Sequence, residues 1–157
     1  MPRFKTIVNT GAEYGTITVR AASALSAGCV VCWEMDGTED GLSVTVPGSV
    51  TAGLVAGILP AAIASGAKGE AIVYGLCTNA RVARVGSASN DSVAVGDFYD
   101  IYSASSMLSY ISPGKAVVNS NSNIGGPLPM FMAAASVASG GASSLSSTTT
   151  KVLVRCL

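Results

Sequence analysis

Leu25-Ser-Ala-Gly28-Cys-Val-Val-Cys-Trp33 and Val93-Ala-Val-Gly96-Asp-Phe-Tyr-Asp-Ile101 follow one pattern: an apolar residue, a glycine three places on, then an apolar run. Gly66-Ala-Lys-Gly69-Glu-Ala-Ile-Val-Tyr74 reads as a looser third copy. Glycine accepts the positive φ that a tight turn at the start of a strand demands, and the chain after it can pair across a sheet. The copies therefore mark turn–strand units. Duplication of one unit and independent recurrence of a common turn both account for the pattern.

Outward from these units, short segments of period-two alternation dominate. They predict strands over Phe4–Asn9, Gly15–Arg20, Cys29–Glu34, Leu42–Val46, Gly53–Leu59, Glu70–Cys77, Arg81–Val85, Phe98–Ser103, Lys115–Asn119, Met130–Ala135 and Lys151–Leu157. Asp36-Gly37, Asp40-Gly41, Pro47-Gly48, Asn90-Asp91 and Pro113-Gly114 supply the turns between them. Residues 119–127 and 139–150, rich in Ser, Thr, Asn and Gly, read as loops. Ala61–Ser65 after Pro60 allows one short helical turn, and no segment carries a sustained helical period with caps. The expectation is an all-β fold, a compact β-barrel or β-sandwich. Residues 1–20 read as an N-terminal arm or first strands, and 21–157 as a single β-domain.

Composition narrows the function. Charged residues are 11% of the 157, against about 25% in an ordinary globular domain. Such a deficit fits a surface that lies largely against other protein, and it equally fits a neutral Ser/Thr/Gly-covered domain. Residues 1–100 hold all nine acids and six of the nine bases, whereas Lys115, Lys151 and Arg155 stand alone in the remainder. Neither part clusters bases as phosphate binding requires, so nucleic acid is not expected as a partner. No signal peptide follows Arg3 and Lys5, and no apolar stretch is long enough for a membrane helix. Synthesis in a reducing cytosol would keep the cysteines as thiols.

The chain has no histidine, which removes the usual general base and the commonest metal ligand. Cys29-Val-Val-Cys32 has CxxC spacing, but Cys77 and Cys156 stand apart and form no second pair. Its β-pattern setting also lacks the helix N-terminus that activates redox thiols. Glu34, Asp36, Glu39 and Asp40 do not follow a calcium-loop spacing and read as a solvated hairpin. No P-loop or dinucleotide fingerprint occurs. We therefore expect no enzyme, no cofactor, no metal, and four free thiols.

Aromatic and methionine residues fall at Trp33, at Phe98/Tyr99/Tyr102 with Met107/Tyr110, and at Met130/Phe131/Met132. In a strand Met130 and Met132 face one side and Phe131 the other. A segment apolar on both sides is buried on both, by a second layer or by a partner subunit. Met130, Phe131 and Met132 are thus the candidate subunit-interface residues. Trp33 beside the Glu34–Asp40 loop is the candidate platform for a glycan or receptor.

Gly53-Leu-Val-Ala-Gly57-Ile, then Ala61-Ala-Ile-Ala-Ser-Gly66-Ala-Lys-Gly69-Glu-Ala-Ile-Val-Tyr-Gly75, resembles the central segment of small tailed-phage capsid decoration proteins. Ala24–Val31, Gly114-Lys-Ala-Val-Val, Ile124-Gly125 and the final Val152–Leu157 continue the same order, so the resemblance covers roughly residues 20–157. These motifs are built of Gly, Ala and Val, and residues 1–20 match nothing in the family. The resemblance implies a β-barrel or β-sandwich on the outer surface of a virion, made in the host cytoplasm. It also implies a homotrimer, or copies otherwise clustered, that bridges capsomers by binding the major capsid protein, and it carries no catalytic residues. The arm before the family-like region contains Arg3, Phe4, Lys5 and Ile7, which become candidates for capsid contact by strand addition to a shell edge. An ordinary first strand of the barrel is the competing reading. The alternative function is a receptor- or glycan-binding head-fibre or tail module.

Overall fold

A computed structural model describes residues 14–35, 41–47, 54–84, 93–101, 108–110, 131–137 and 146–156. All regular structure among these residues is β: β1 (Tyr14–Ala21), β2 (Val30–Trp33), β3 (Ser43–Thr45), β4 (Val55–Ile58), β5 (Lys68–Arg84), β6 (Phe98–Ile101), β7 (Leu108–Tyr110), β8 (Phe131–Ala133) and β9 (Ser146–Arg155). Hydrogen bonding runs β1-β3-β2-β4-β5 and returns from β5 to β1, closing a five-stranded barrel. It then runs β5-β7-β6-β8-β9 and returns from β9 to β5, closing a second. The 17-residue β5 is a wall of both. Closure removes the unpaired edges that an open sheet of such short strands would expose.

The two barrels repeat one another pair by pair. Parallel β1–β3 (Ala21↔Val44) is matched by parallel β5–β7 (Val82↔Leu108). The hairpin β2–β3 (Trp33↔Val44) is matched by β6–β7 (Ile101↔Leu108). Val31↔Gly57 of β2–β4 is matched by Tyr99↔Phe131 of β6–β8. Ile58↔Ile72 of β4–β5 is matched by Met132↔Leu153 of β8–β9. Between strands, the bridge Leu25↔Ile63 recurs as Val93↔Val137. Gly28 N–H donates to Leu59 O at 2.7 Å, and Gly96 N–H to Ala133 O at 2.9 Å. A whole five-strand unit is therefore duplicated, with β5 serving as the last strand of one copy and the first of the next.

This geometry corrects the third sequence copy. The turn lies at Ile63-Ala-Ser-Gly66, where Gly66 has a φ of 73°, three residues before the Gly66–Gly69 reading. Val137, bridged to Val93, takes in the second barrel the place that Ile63 has in the first. Glu70–Cys77 and the described part of Arg81–Val85, which ends at Arg84, prove to be one strand, because a register shift between Cys77 and Ala80 in the β5–β9 ladder absorbs Thr78 and Asn79. Ser146–Thr150, read as loop, opens β9. Residues 61–65 form no helical turn but a bend and the Leu25↔Ile63 bridge. Tyr14–Arg20 belong to β1 and build the first barrel, whereas residues 1–13, with Phe4–Asn9, and the expected strand Lys115–Asn119 lie outside the described residues.

Two apolar cores result. One fills the first barrel with Ile17, Val19, Ala21, Leu25, Val31, Val44, Leu59, Ile63, Ala71 and Val73. The other fills the second with Ala80, Val82, Tyr99, Ile101, Phe131, Val152 and Val154, and extends onto the outside of the first barrel through Val30, Cys32, Ile58 and Ile72. Burying each of these large side chains contributes about 1.5–3 kcal/mol. The barrels are thus fused by packing as well as by β5.

Candidate interaction surfaces

The seam between the barrels is built on the first glycine turn. Gly28 adopts a φ of 76°, and a Cβ there would lie 2.2 Å from Asn79 O. That absence of a side chain lets β5 approach, and Arg81 N–H donates to Gly28 O at 2.9 Å. Asn79 Nδ2 donates to Pro60 O at 3.0 Å, and the Cys77 thiol to Asn79 Oδ1 at 3.3 Å. Arg81 Nη1 also reaches Cys29 Sγ at 3.6 Å. At the equivalent turn of the second barrel, Gly96 has a φ of 94°, and among the described residues nothing lies within 4 Å of a Cβ built there.

The same contrast runs across the barrel walls. On the first barrel, Val30, Ile58 and Ile72 sit side by side on β2, β4 and β5 and are at most 3% exposed, covered by the second core. On the second, paired positions give Phe98, Met132, Leu153 and Leu76 in a row across β6, β8, β9 and β5. Phe98 is 43% exposed, and the other three are half-buried. Sequence reading singled out Met132 but missed the row, because its members are consecutive only across strands. It could have been found by aligning the two repeats and asking which apolar positions persist.

A second apolar surface lies at the far end of the first barrel. Met35, Leu42, Val46 and Leu54 are all more than 40% exposed around the β2–β3 hairpin. Trp33, the candidate platform, is half-buried against the first core, so its indole is largely committed to packing. Ser43 Oγ donates to Glu34 Oε2 at 2.6 Å, which ties the one described carboxylate of the acidic loop to the barrel; Asp36–Asp40 lie outside the described residues.

The four cysteines are free thiols, three of them buried. Burial pushes the Cys32 thiol up to about 12. Cys156 rises to about 12 through burial first and repulsion from Cys32 second. Burial also raises Cys77, against hydrogen bonds from Asn79 and Ala80 that lower it. A thiol held protonated is a poor nucleophile and a poor metal ligand, so these residues act as small apolar side chains. Among the described residues no group of three or more His, Cys, Asp or Glu could hold a metal ion, and no helix is long and apolar enough to cross a membrane.

Of the sequence-derived interface residues, Phe131 is 1% exposed and points into the second barrel. Met132 faces outward in the apolar row, and Met130 lies outside the described residues. The apolar residues on both sides of this strand are thus explained on one side by the barrel interior. Arg3, Phe4, Lys5 and Ile7 also lie outside the described residues. Comparison with known proteins finds no matching family model, no matching curated protein and no matching solved structure.

Proposed function

We propose that this chain is a structural virion protein that decorates a phage capsid, binding the major capsid protein on the outer surface and bridging neighbouring capsomers. The observation that carries the reading is the sequence run from Gly53 to Gly75, which resembles the central segment of that family. Its local fold is compatible: β4 leads into the Gly66 turn and then β5, the strand–turn–strand order of the family segment. Two barrels sharing a 17-residue strand make a stiff body suited to spanning two neighbours. Individually weak shell contacts suffice when clustered copies, as in a homotrimer, engage together. The role is binding and mechanical support, with no reaction and no cofactor.

The N-terminal segment provides the test. Arg3 and Lys5 would meet acidic shell surface, while Phe4 and Ile7 fill pockets along an added strand. Deleting residues 1–8 should leave the melting temperature unchanged and abolish capsid binding. A folded truncation that binds capsids as well as the intact chain would remove the arm from the mechanism, and a truncation that fails to fold would make the segment part of the barrel.

A further inference from the structure

We propose that the outward row Phe98, Met132, Leu153 and Leu76 is the surface on which a second copy of this chain docks. The argument comes from the duplication. In the first barrel the matching positions Val30, Ile58 and Ile72 are covered, and the cover is the second barrel of the same chain. In the second barrel the positions matching Val30, Ile58 and Ile72 are Phe98, Met132 and Leu153, so all three have kept apolar side chains. Phe98 nevertheless stands 43% exposed. The turn beside it repeats the contrast: the space at Gly28 is taken by β5, and that at Gly96 is open among the described residues.

Among the described residues the chain thus carries one fully covered example of this wall and one that is only partly covered, with Phe98 exposed and Met132, Leu153 and Leu76 half-buried. What covers the first is a barrel of this sequence, which makes a barrel of this sequence the occupant that the second fits. A solvent-facing wall has no need of Phe, Met and Leu at adjoining register positions, and contiguous apolar surface of this kind marks association sites. The nearest described ionisable side chains in the row's outward register are Lys151 and Arg155, each two residues from Leu153 on β9, so they flank the contact and leave its centre apolar. A stable contact of copies buries on the order of 800 Å² per partner, so the row would form the centre of a larger footprint. The proposal adds to the capsid reading the surface through which copies meet, and it concerns the chain alone.

Sedimentation velocity of the intact chain without capsids, over about 1–100 μM, tests it, a range in which specific protein pairs associate. The wild type should sediment as a dimer or larger species. Phe98→Glu and, separately, Leu153→Arg should raise the dissociation constant by about 100-fold or more, since a charge at an interface centre is left desolvated and unpaired. Leu42→Glu, at the far end of the first barrel, should associate like the wild type. Far-ultraviolet circular dichroism and a cooperative melt establish that each variant is folded, and having two variants on different strands guards against one failing to fold. A monomeric wild type at the highest concentration overturns the proposal, as does association unchanged in both variants. Because no shell is present, failure here leaves capsid binding standing, and failure of capsid binding leaves this interface standing.

Discussion

Replacing Gly28 and Gly96 by alanine separates the seam from the turn. Both glycines have positive φ, 76° and 94°, and both open the same kind of turn–strand unit. An alanine held there costs about 1–2 kcal/mol from backbone strain alone. Gly96→Ala should cost only that, since its methyl meets no atom within 4 Å among the described residues. Gly28→Ala must in addition displace the Asn79 carbonyl, 2.2 Å from the new Cβ, and push back Arg81 Cγ at 2.9 Å. Asn79 is main chain of β5, so the Arg81-to-Gly28 and Asn79-to-Pro60 hydrogen bonds must shift with it. Losing one such buried bond adds about 1–3 kcal/mol. For a chain of this size each kcal/mol lowers the melting temperature by about 2–4 °C. Gly28→Ala should therefore melt about 2–12 °C below Gly96→Ala in calorimetry, with both folded at low temperature. Equal melting temperatures would refute the close approach of β5 to the first turn, and with it the fused-barrel seam.

Other expectations follow from the same packing. Phe131→Ala should destabilise by about 3–5 kcal/mol in urea titration, whereas Met132→Ala on the opposite face should cost well under half as much; similar costs would contradict the facing of β8. The Cys32 thiol is raised from 9.0 to about 12, so its contribution to stability is complete below pH 9 and is lost as pH rises toward 12, at about 1.4 kcal/mol per pH unit. Cys32→Val should accordingly lose stability less steeply than the wild type between those pH values, and an identical slope would show that the thiol is not buried. Thiol titration of the unfolded, non-reduced protein should find four groups, and a count of two would mean a disulfide.

Much of the fold is legible in the residues, and the failures have physical causes. The Leu25–Trp33 and Val93–Ile101 units stand out because each turn glycine precedes an apolar strand. The third unit slips by three residues because Gly66 and Gly69 both fit a local pattern, while the Leu25↔Ile63 pairing that decides between them is distant in sequence. β7 is three residues long and gives no period to detect. The start of β9 is Ser and Thr throughout, whichever way each residue faces (Thr149 is exposed and Thr150 buried), so it shows no apolar alternation and composition alone reads it as loop. The shared strand is hidden by Thr78-Asn79, where alternation breaks while pairing continues. The apolar row on the second barrel escapes a linear reading for a related reason: Phe98, Met132 and Leu153 become neighbours only through the β6–β8–β9 register.

Capsid binding tests the central reading most directly. Expanded capsids of the phage that the proposal calls for, prepared without this chain, are mixed with increasing amounts of it and sedimented. The account predicts saturable co-sedimentation at a fixed number of copies per capsid, together with shells that withstand higher temperature before releasing DNA. Protein that stays in the supernatant at every concentration, with capsids no more heat-resistant than before, would contradict it.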